Sequence, residues 1–371
     1  MSSAHTDSRS APSRCRTGLA GADVEVRPLP CLLPLAHHPA ALQIEEETRA
    51  WARRSLGRVF DADIEAALRR RSPSWLIPCY PTASGERLLR LWKLDQVYFL
   101  FDDACMTGTA GARTAAEHCR KLAGQLRGQA EPATSTDRFL LGLVRDLTDG
   151  MPPGLRTRTL DGMATMLAGF DDQVARTRPD ADAPLDWDTA REIRLRAVGS
   201  TCYLPWTEYV TGVDLTLALA RQPLLRQTAR LAGLQTLYVN ELCSFRAEHF
   251  AEDHGNLICL MLSTGASLQE AFDLVAGHAA QAERDFVALR NAVLTGPCDG
   301  APDVRAYLDA LGHLISGATH WQFTTIRYHG PGFRCSPATG STWTMHPDHT
   351  ELAGAGPWPP GALRLLLTAD R

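Results

Sequence analysis

Residues 84–103 read SGERLLRLWKLDQVYFLFDD, and this stretch decides the fold. Apolar side chains recur in it at three- and four-residue intervals, as at Leu88, Leu91 and Trp92, which is the period of a helix turned toward a core. No alternating run of β-branched residues competes with that pattern. The mostly apolar or aromatic residues Trp92 to Phe101 then lead straight into two carboxylates, Asp102 and Asp103. A buried helix ending in paired charge either exposes that end or holds something with it. Acidic groups are unfavourable at a helix C-terminus, which weighs against simple exposure. Hard oxygen donors of this kind suit Mg²⁺, which keeps several waters and shares its shell with a substrate phosphate.

Working outward, the same spacing covers residues 41–57, 115–126, 138–147, 215–250, 267–294 and 303–328. The breaks RPDADAPLDWD (178–188) and LTGPCDGAPD (294–303) read as loops between helices, with Ser or Asp placed to cap the next one. Residues 28–39, PLPCLLPLAHHP, are punctuated by Pro and should run extended over a surface. No convincing strand and no repeat period stands out. The expectation is one all-α domain over residues 28–330. A disordered N-terminal tail (1–27) and an irregular, Gly-, Pro-, Ser- and Thr-rich C-terminal tail (331–371) would flank it.

Composition narrows the function. In 371 residues, 44% are hydrophobic and 22% charged, which excludes wholesale disorder. A net charge of -4 leaves no bulk basic field for nucleic acid or an anionic membrane, so any bound anion must be gripped by a few placed arginines. The ten cysteines include no CxxC pair, and free thiols in a reducing compartment are the simpler reading. The histidines do not cluster at metal-ligand spacing. No signal-peptide core opens the chain and no run approaches ~18 apolar residues. The expectation is a soluble cytoplasmic protein with neither a nucleic-acid nor a membrane partner.

Two further patterns gain meaning in company. Asn240, Ser244 and Glu248 stand at i, i+4 and i+8 late in a long helical stretch, so their oxygens line one stripe about 12 Å long. Carboxylate, amide and hydroxyl oxygens together could face a divalent cation, whereas a solvated polar stripe is the plainer alternative. Near the end of the last periodic segment, Arg327 and Tyr328 offer a planar fork and a phenol to phosphate oxygens. A second acidic pair, Asp171-Asp172, leads into a charged loop and reads as surface.

In this order, the landmarks resemble the bacterial class I terpene synthases (terpene cyclases) over roughly residues 28–330. The resemblance rests on CYPTASGERLLRLWKLD (79–95), FDD (101–103), the Asn-Ser-Glu triad in NELCSFRAE (240–248), HGNLICLMLSTGASLQEA (254–271) and SGATHWQFTTIRY (316–328). It implies a single-domain helical bundle around a central apolar cavity. It also implies metal-dependent ionisation of a linear prenyl diphosphate, with farnesyl diphosphate the first choice of substrate and geranylgeranyl diphosphate the second. The carbocation would then cyclise to a terpene hydrocarbon or alcohol, with pyrophosphate released.

By the same resemblance, three Mg²⁺ ions (or Mn²⁺) would be held by Asp102, with Asp103 beside it, and by Asn240, Ser244 and Glu248. Asp103 is better suited by family pattern to holding an arginine when the site closes. Arg194 would sense the diphosphate ahead of a helix break at Gly199-Ser200, with Arg196 in reserve. Arg327 and Tyr328 would bond the same anion, and Arg246 would approach it from one place before the usual basic position. Tyr98, Phe99 and Trp321 would turn π faces to the cation, with ordinary core packing as the alternative for each. Trp206 is a weaker candidate.

The departures from the family pattern matter too. Ala104-Cys105-Met106-Thr107 supplies no third acidic residue, Glu241 replaces the usual Asp, and Ala247 stands where Lys or Arg is usual. They suggest one alternative, a catalytically impaired helical protein that binds prenyl diphosphate without turnover. A chain-elongating synthase would carry two Asp-rich motifs, and a helical phosphohydrolase would carry His-Asp pairs. Neither pattern is present. Homodimers are common in the family, though no feature of the sequence specifies one.

Overall fold

Caps and prolines divide the chain where its periodicity breaks. Thr134 and Asp137 each accept a hydrogen bond from the other's backbone N–H, and Ser267 and Glu270 form a second such box. Asp186 caps the helix that follows it through the N–H of Thr189. Pro223 and Pro302 open two long helices at the first turn, where a missing N–H costs nothing.

The computed structural model describes residues 18–61, 63–71, 74–105, 111–176, 185–296, 301–330, 333, 335–346 and 364–365. The tails expected at 1–17 and, apart from 364–365, at 347–371 lie outside the described residues, as do Met106 and Thr107 after the acidic pair. The first helices are α1 (Ala41–Ser55), α2 (Ile64–Arg71), α3 (Leu76–Cys79), α4 (Gly85–Cys105) and α5 (Ala112–Leu126). Then come α6 (Ser135–Thr148), α7 (Pro153–Arg176), α8 (Trp187–Ala197), α9 (Ser200–Thr211) and α10 (Thr216–Arg221). The last are α11 (Pro223–Phe250), α12 (Leu257–Ser263), α13 (Leu268–Thr295), α14 (Pro302–Thr324) and α15 (Ile326–His329).

α4 is buried around most of its circumference, at Leu88, Leu91, Trp92, Leu94, Val97, Leu100 and Phe101. A helix apolar on all sides belongs in the middle of a bundle. α1, α5, α6, α7 and α9 pack around it, while α11 lies along α13 and α14 on the other side. α7 meets the start of α9 closely enough that a Cβ on Gly162 would sit 2.1 Å from the carbonyl oxygen of Thr201, so that crossing requires glycine.

The structure corrects the sequence reading at both ends of the domain. β1 (Asp23–Val26) pairs antiparallel with β3 (Ser341–Thr344), Asp23 opposite Thr344 and Val26 opposite Ser341. A shorter ribbon joins β2 (Phe60–Asp61) to β4 (Arg364–Leu365). Val24, Val26, Trp343 and Met345 are buried in the main core, so the ordered unit reaches beyond residues 28–330 on both sides. Strands of four residues offer only two inward positions each, too few to register as an alternating pattern. Their partners also lie at opposite ends of the chain.

Candidate active site

α4 turns Asp95, Tyr98, Phe99 and Asp102 along one stripe at i, i+3, i+4 and i+7, and all four line a cavity in the bundle. α7 adds Met166 and Phe170, α9 adds Tyr203 and Trp206, and α14 adds Trp321. The empty volume is about 820 Å³, including space open to solvent. Tyr98 stacks on Trp206 at 5.9 Å, and Trp321 packs between Phe99 (6.0 Å) and Tyr328 (5.8 Å). The wall is aromatic over much of its surface and polar elsewhere. One end is ringed by Asp102, Arg194, Asn240, Glu248, Arg327 and Tyr328, and Asp95 interrupts the aromatic surface.

On the α4 side, the adjacent carboxylates are treated differently. Asp103 is buried, with Arg71 Nη2 at 2.7 Å, Arg327 Nη1 at 2.5 Å and Arg70 Nη2 at 3.5 Å. Burial alone would raise its pKa, but Arg327, Arg71 and Arg70 hold it well below the usual carboxylate range. Asp102 takes one contact from Arg327 Nη2 at 2.6 Å, and its side chain keeps 46% of its surface accessible. Arg327 comes from α15, which Thr325 caps through the Arg327 N–H.

On the opposite side, α11 presents the triad. Asn240 accepts from Arg194 Nη2 (3.3 Å) and donates through Nδ2 to the Tyr328 hydroxyl (2.9 Å). Ser244 Oγ donates to the carbonyl of Asn240. Glu248 Oε2 accepts from Asn256 Nδ2 at 2.9 Å, and its other oxygen lies 3.7 Å from Arg194 Nη2. Arg194 ends α8 with its Nε on Glu241 (2.7 Å) and its Nη1 on Gln173 (2.9 Å). Burial would lower its pKa, but Glu241, Glu248 and Asp253 raise it above the ordinary value, so it stays charged. The chain then breaks at Gly199, whose φ of +90° is left-handed, and restarts as α9. The break therefore falls where the sequence suggests it.

Two expected anion contacts stand elsewhere. Arg196 pairs with Asp172 Oδ2 at 2.7 Å on the surface and does not line the cavity. Arg246 is buried beneath the terminal ribbon, donating to the carbonyl of Thr344 and lying over Phe333 (5.5 Å) and Trp343 (5.8 Å). Two residues beyond Ser244, it is about 200° further round α11 and points away from the triad.

Residues to which the sequence reading gave no role in the site line the cavity or hold the groups at its polar end. Asn256, the N-cap of α12, donates to the Glu241 carbonyl, Ser244 Oγ and Glu248 Oε2. Glu241 and Gln173 hold Arg194, and Trp75 donates its Nε1–H to Asp95. Asp95 was detectable as the lone carboxylate within an apolar run, two turns before Asp102 on the same face. The other pairings join distant segments and leave no local signal.

No group of three or more His, Cys, Asp or Glu placed to hold a metal occurs among the described residues. A metal here would need the amide of Asn240 and the hydroxyl of Ser244 as well as the carboxylates of Asp102 and Glu248. Those hard oxygens fit a small divalent cation, and the accessibility of Asp102 leaves it able to exchange Arg327 for one.

Comparison with known proteins identifies the family. The profile of terpene synthase family 2, C-terminal metal binding, matches residues 93–285, more than half of the chain. Microbial Terpene synthase-like protein 13 of Selaginella moellendorffii is 26% identical over 313 residues, 82% of this chain and 87% of that protein. Sesquiterpene synthase 6 of Postia placenta is 25% identical over 292 residues, 70% and 84% of the two chains. Among solved structures, a single-substitution variant of cucumene synthase superposes with a TM-score of 0.69 at 26% identity, covering 81% of this chain and 99% of that one. The chain belongs to terpene synthase family 2. It is a lyase of the terpene synthase class, which acts on a prenyl diphosphate with a divalent metal. No helix among the described residues is long and apolar enough to cross a membrane.

Proposed function

We propose that the protein ionises farnesyl diphosphate in a Mg²⁺-dependent reaction and cyclises the resulting cation. The observation that carries this reading is the division of one cavity. Asp102 and Arg327 face Asn240, Glu248 and Arg194 at its polar end, and Tyr98, Phe99, Trp206 and Trp321 line the wall beyond. Carbon–oxygen ionisation needs negative charge neutralised as the pyrophosphate departs. Asp102 on one side and Asn240, Ser244 and Glu248 on the other would hold the Mg²⁺ ions, three by family resemblance. When bound, the metal supplies Lewis-acid stabilisation of the leaving anion.

The chain's own residues do the rest. Arg194 and Arg327 are buried cations whose ion pairs to Glu248 and Asp102 can be exchanged for pyrophosphate oxygens. Tyr328, already bonded to Asn240, adds a hydroxyl at the same place. Aromatic faces stabilise positive charge in the remainder of the cavity, from which water must be excluded. A C15 substrate is favoured by the relative named as a sesquiterpene synthase. Geranylgeranyl diphosphate is the second choice.

The test is pyrophosphate release from C10, C15 and C20 prenyl diphosphates, with Mg²⁺ or with EDTA. Fastest Mg²⁺-dependent release from the C15 substrate is expected. Faster release from C10 or C20 would overturn the substrate assignment, and release in EDTA would overturn the metal requirement.

A further inference from the structure

Asp95 is a carboxyl group where a carbocation cavity has least use for one. It is 3% exposed, lines the cavity, and sits among the rings of Trp75, Tyr98 and Tyr203. Among the described residues, its hydrogen bonds come from one donor, Trp75 Nε1, at 3.0 and 3.1 Å to its two oxygens. No ion pair compensates it among the described residues, although buried carboxylates are normally paired. An amide or hydroxyl would satisfy the indole N–H at far smaller desolvation cost, so holding Trp75 does not account for the acid.

From this placement we infer that Asp95 accepts the proton whose loss ends the reaction, an inference that rests on the terpene synthase reading of the cavity. Asp95 lies two helical turns below Asp102 on α4, about 10 Å along the axis. It therefore serves carbons of the folded chain that are remote from the departing pyrophosphate. A carboxylate has about four lone-pair sites, and the single N–H of Trp75 leaves sites open to the cavity. Burial pushes this carboxyl up to about 7, against Trp75 and the more distant Arg71 and Arg327, which suits a group that takes up a proton near neutrality.

In the step itself, a C–H bond next to the cationic carbon breaks and its electron pair becomes the π bond of the product olefin. The proton passes to Asp95 Oδ, discharging the cation and leaving a neutral carboxylic acid. That acid returns its proton to water when the cavity opens. The hydrogen bonds from Trp75 hold the carboxylate back against the wall, which disfavours its collapse onto the cation as an ester.

Asp95→Asn preserves shape and an acceptor for Trp75 Nε1 but removes the base. Pyrophosphate release and the organic products are measured together on the full-length chain. Release is expected to fall by no more than about tenfold. The wild-type olefin should fall by about a hundredfold as a share of products, replaced by other isomers or water-quenched alcohols. Unchanged product ratios would overturn the inference, as would a wild-type product formed only by water capture. Loss of pyrophosphate release with helical circular dichroism intact would also overturn it, because Asp95 would then act at ionisation. If Asp95→Asn does not fold, Asp95→Ser is read by the same criteria. A wild-type chain that releases no pyrophosphate from any prenyl diphosphate overturns the reading of the site and this inference with it. Release with unaltered products in the variant overturns the inference alone.

Discussion

Arg327 spans both members of the acidic pair, with Nη2 2.6 Å from Asp102 Oδ2 and Nη1 2.5 Å from Asp103 Oδ1. One planar fork thus meets two carboxylates with different freedom. Asp103 is also locked by Arg71, whereas Asp102 stays accessible. Asp102 can therefore release the arginine to an incoming anion and take a cation in its place, while Asp103 keeps the guanidinium within reach. Adjacency in sequence produces unlike roles because successive residues on a helix point about 100° apart.

Asp102→Ala and Glu248→Ala should each lower pyrophosphate release by about a thousandfold or more while leaving helical circular dichroism unchanged. Both side chains lie at the cavity's polar end, so neither truncation should unfold the bundle. Activity within tenfold of wild type in either variant would remove that residue from the metal set.

Asp103 is expected to matter more for folding than Asp102. Asp103→Asn leaves Arg71 and Arg327 without their shared buried partner, a change that costs about 3–5 kcal/mol. Because the folded-state pKa of Asp103 is depressed, its contribution is present above the unfolded value near 3.8 and is lost as pH falls below it. Urea midpoints should show the wild-type advantage over Asp103→Asn at pH 6 shrinking toward pH 3. An advantage that does not change with pH would contradict the assignment.

Asn256 orients Glu248 and Ser244 without being an expected metal ligand itself. Asn256→Ala should raise the Mg²⁺ concentration for half-maximal rate by about 10–100-fold, with a smaller effect at saturating metal. A rate defect that no amount of Mg²⁺ repairs would point to a different role.

Much of this site could be read in sequence because helical spacing is local. Asp102, Asn240 and Glu248 each occupy a predictable stripe, and Arg194 precedes a break marked by Gly199. Arg246 shows the limit of such reasoning. Its neighbour Ala247 faces the polar end of the cavity, whereas Arg246 is taken up by Trp343 and Phe333 nearly a hundred residues later. The terminal ribbon and the Trp75–Asp95 and Asn256–Glu248 pairs are likewise tertiary, since each joins separate segments with no periodic signature.

Asp95 should also leave a mark on stability. Its carboxyl is pushed up to about 7 by burial, so between pH 4 and 7 the folded chain binds a proton that the unfolded chain has released. Stability contributed at this position therefore falls as pH rises through that window. Arg71 from α2 and Arg327 from α15 act on Asp95 from a distance and stay charged throughout. Cys79, Tyr80, Tyr98, Cys202 and Tyr203 around it are held neutral by burial and do not titrate there. Asp95→Asn should gain on wild type from pH 5 to pH 8, by up to about 2.5 kcal/mol. A constant difference would mean that Asp95 is already ionised at pH 5.

The most direct test is product analysis. The purified chain is incubated with C10, C15 and C20 prenyl diphosphates, with Mg²⁺ or EDTA, and organic extracts are examined by gas chromatography with mass detection. The account predicts a cyclic terpene, formed chiefly from farnesyl diphosphate and absent in EDTA. Acyclic alcohols alone, or no product from any of the three substrates, would contradict it.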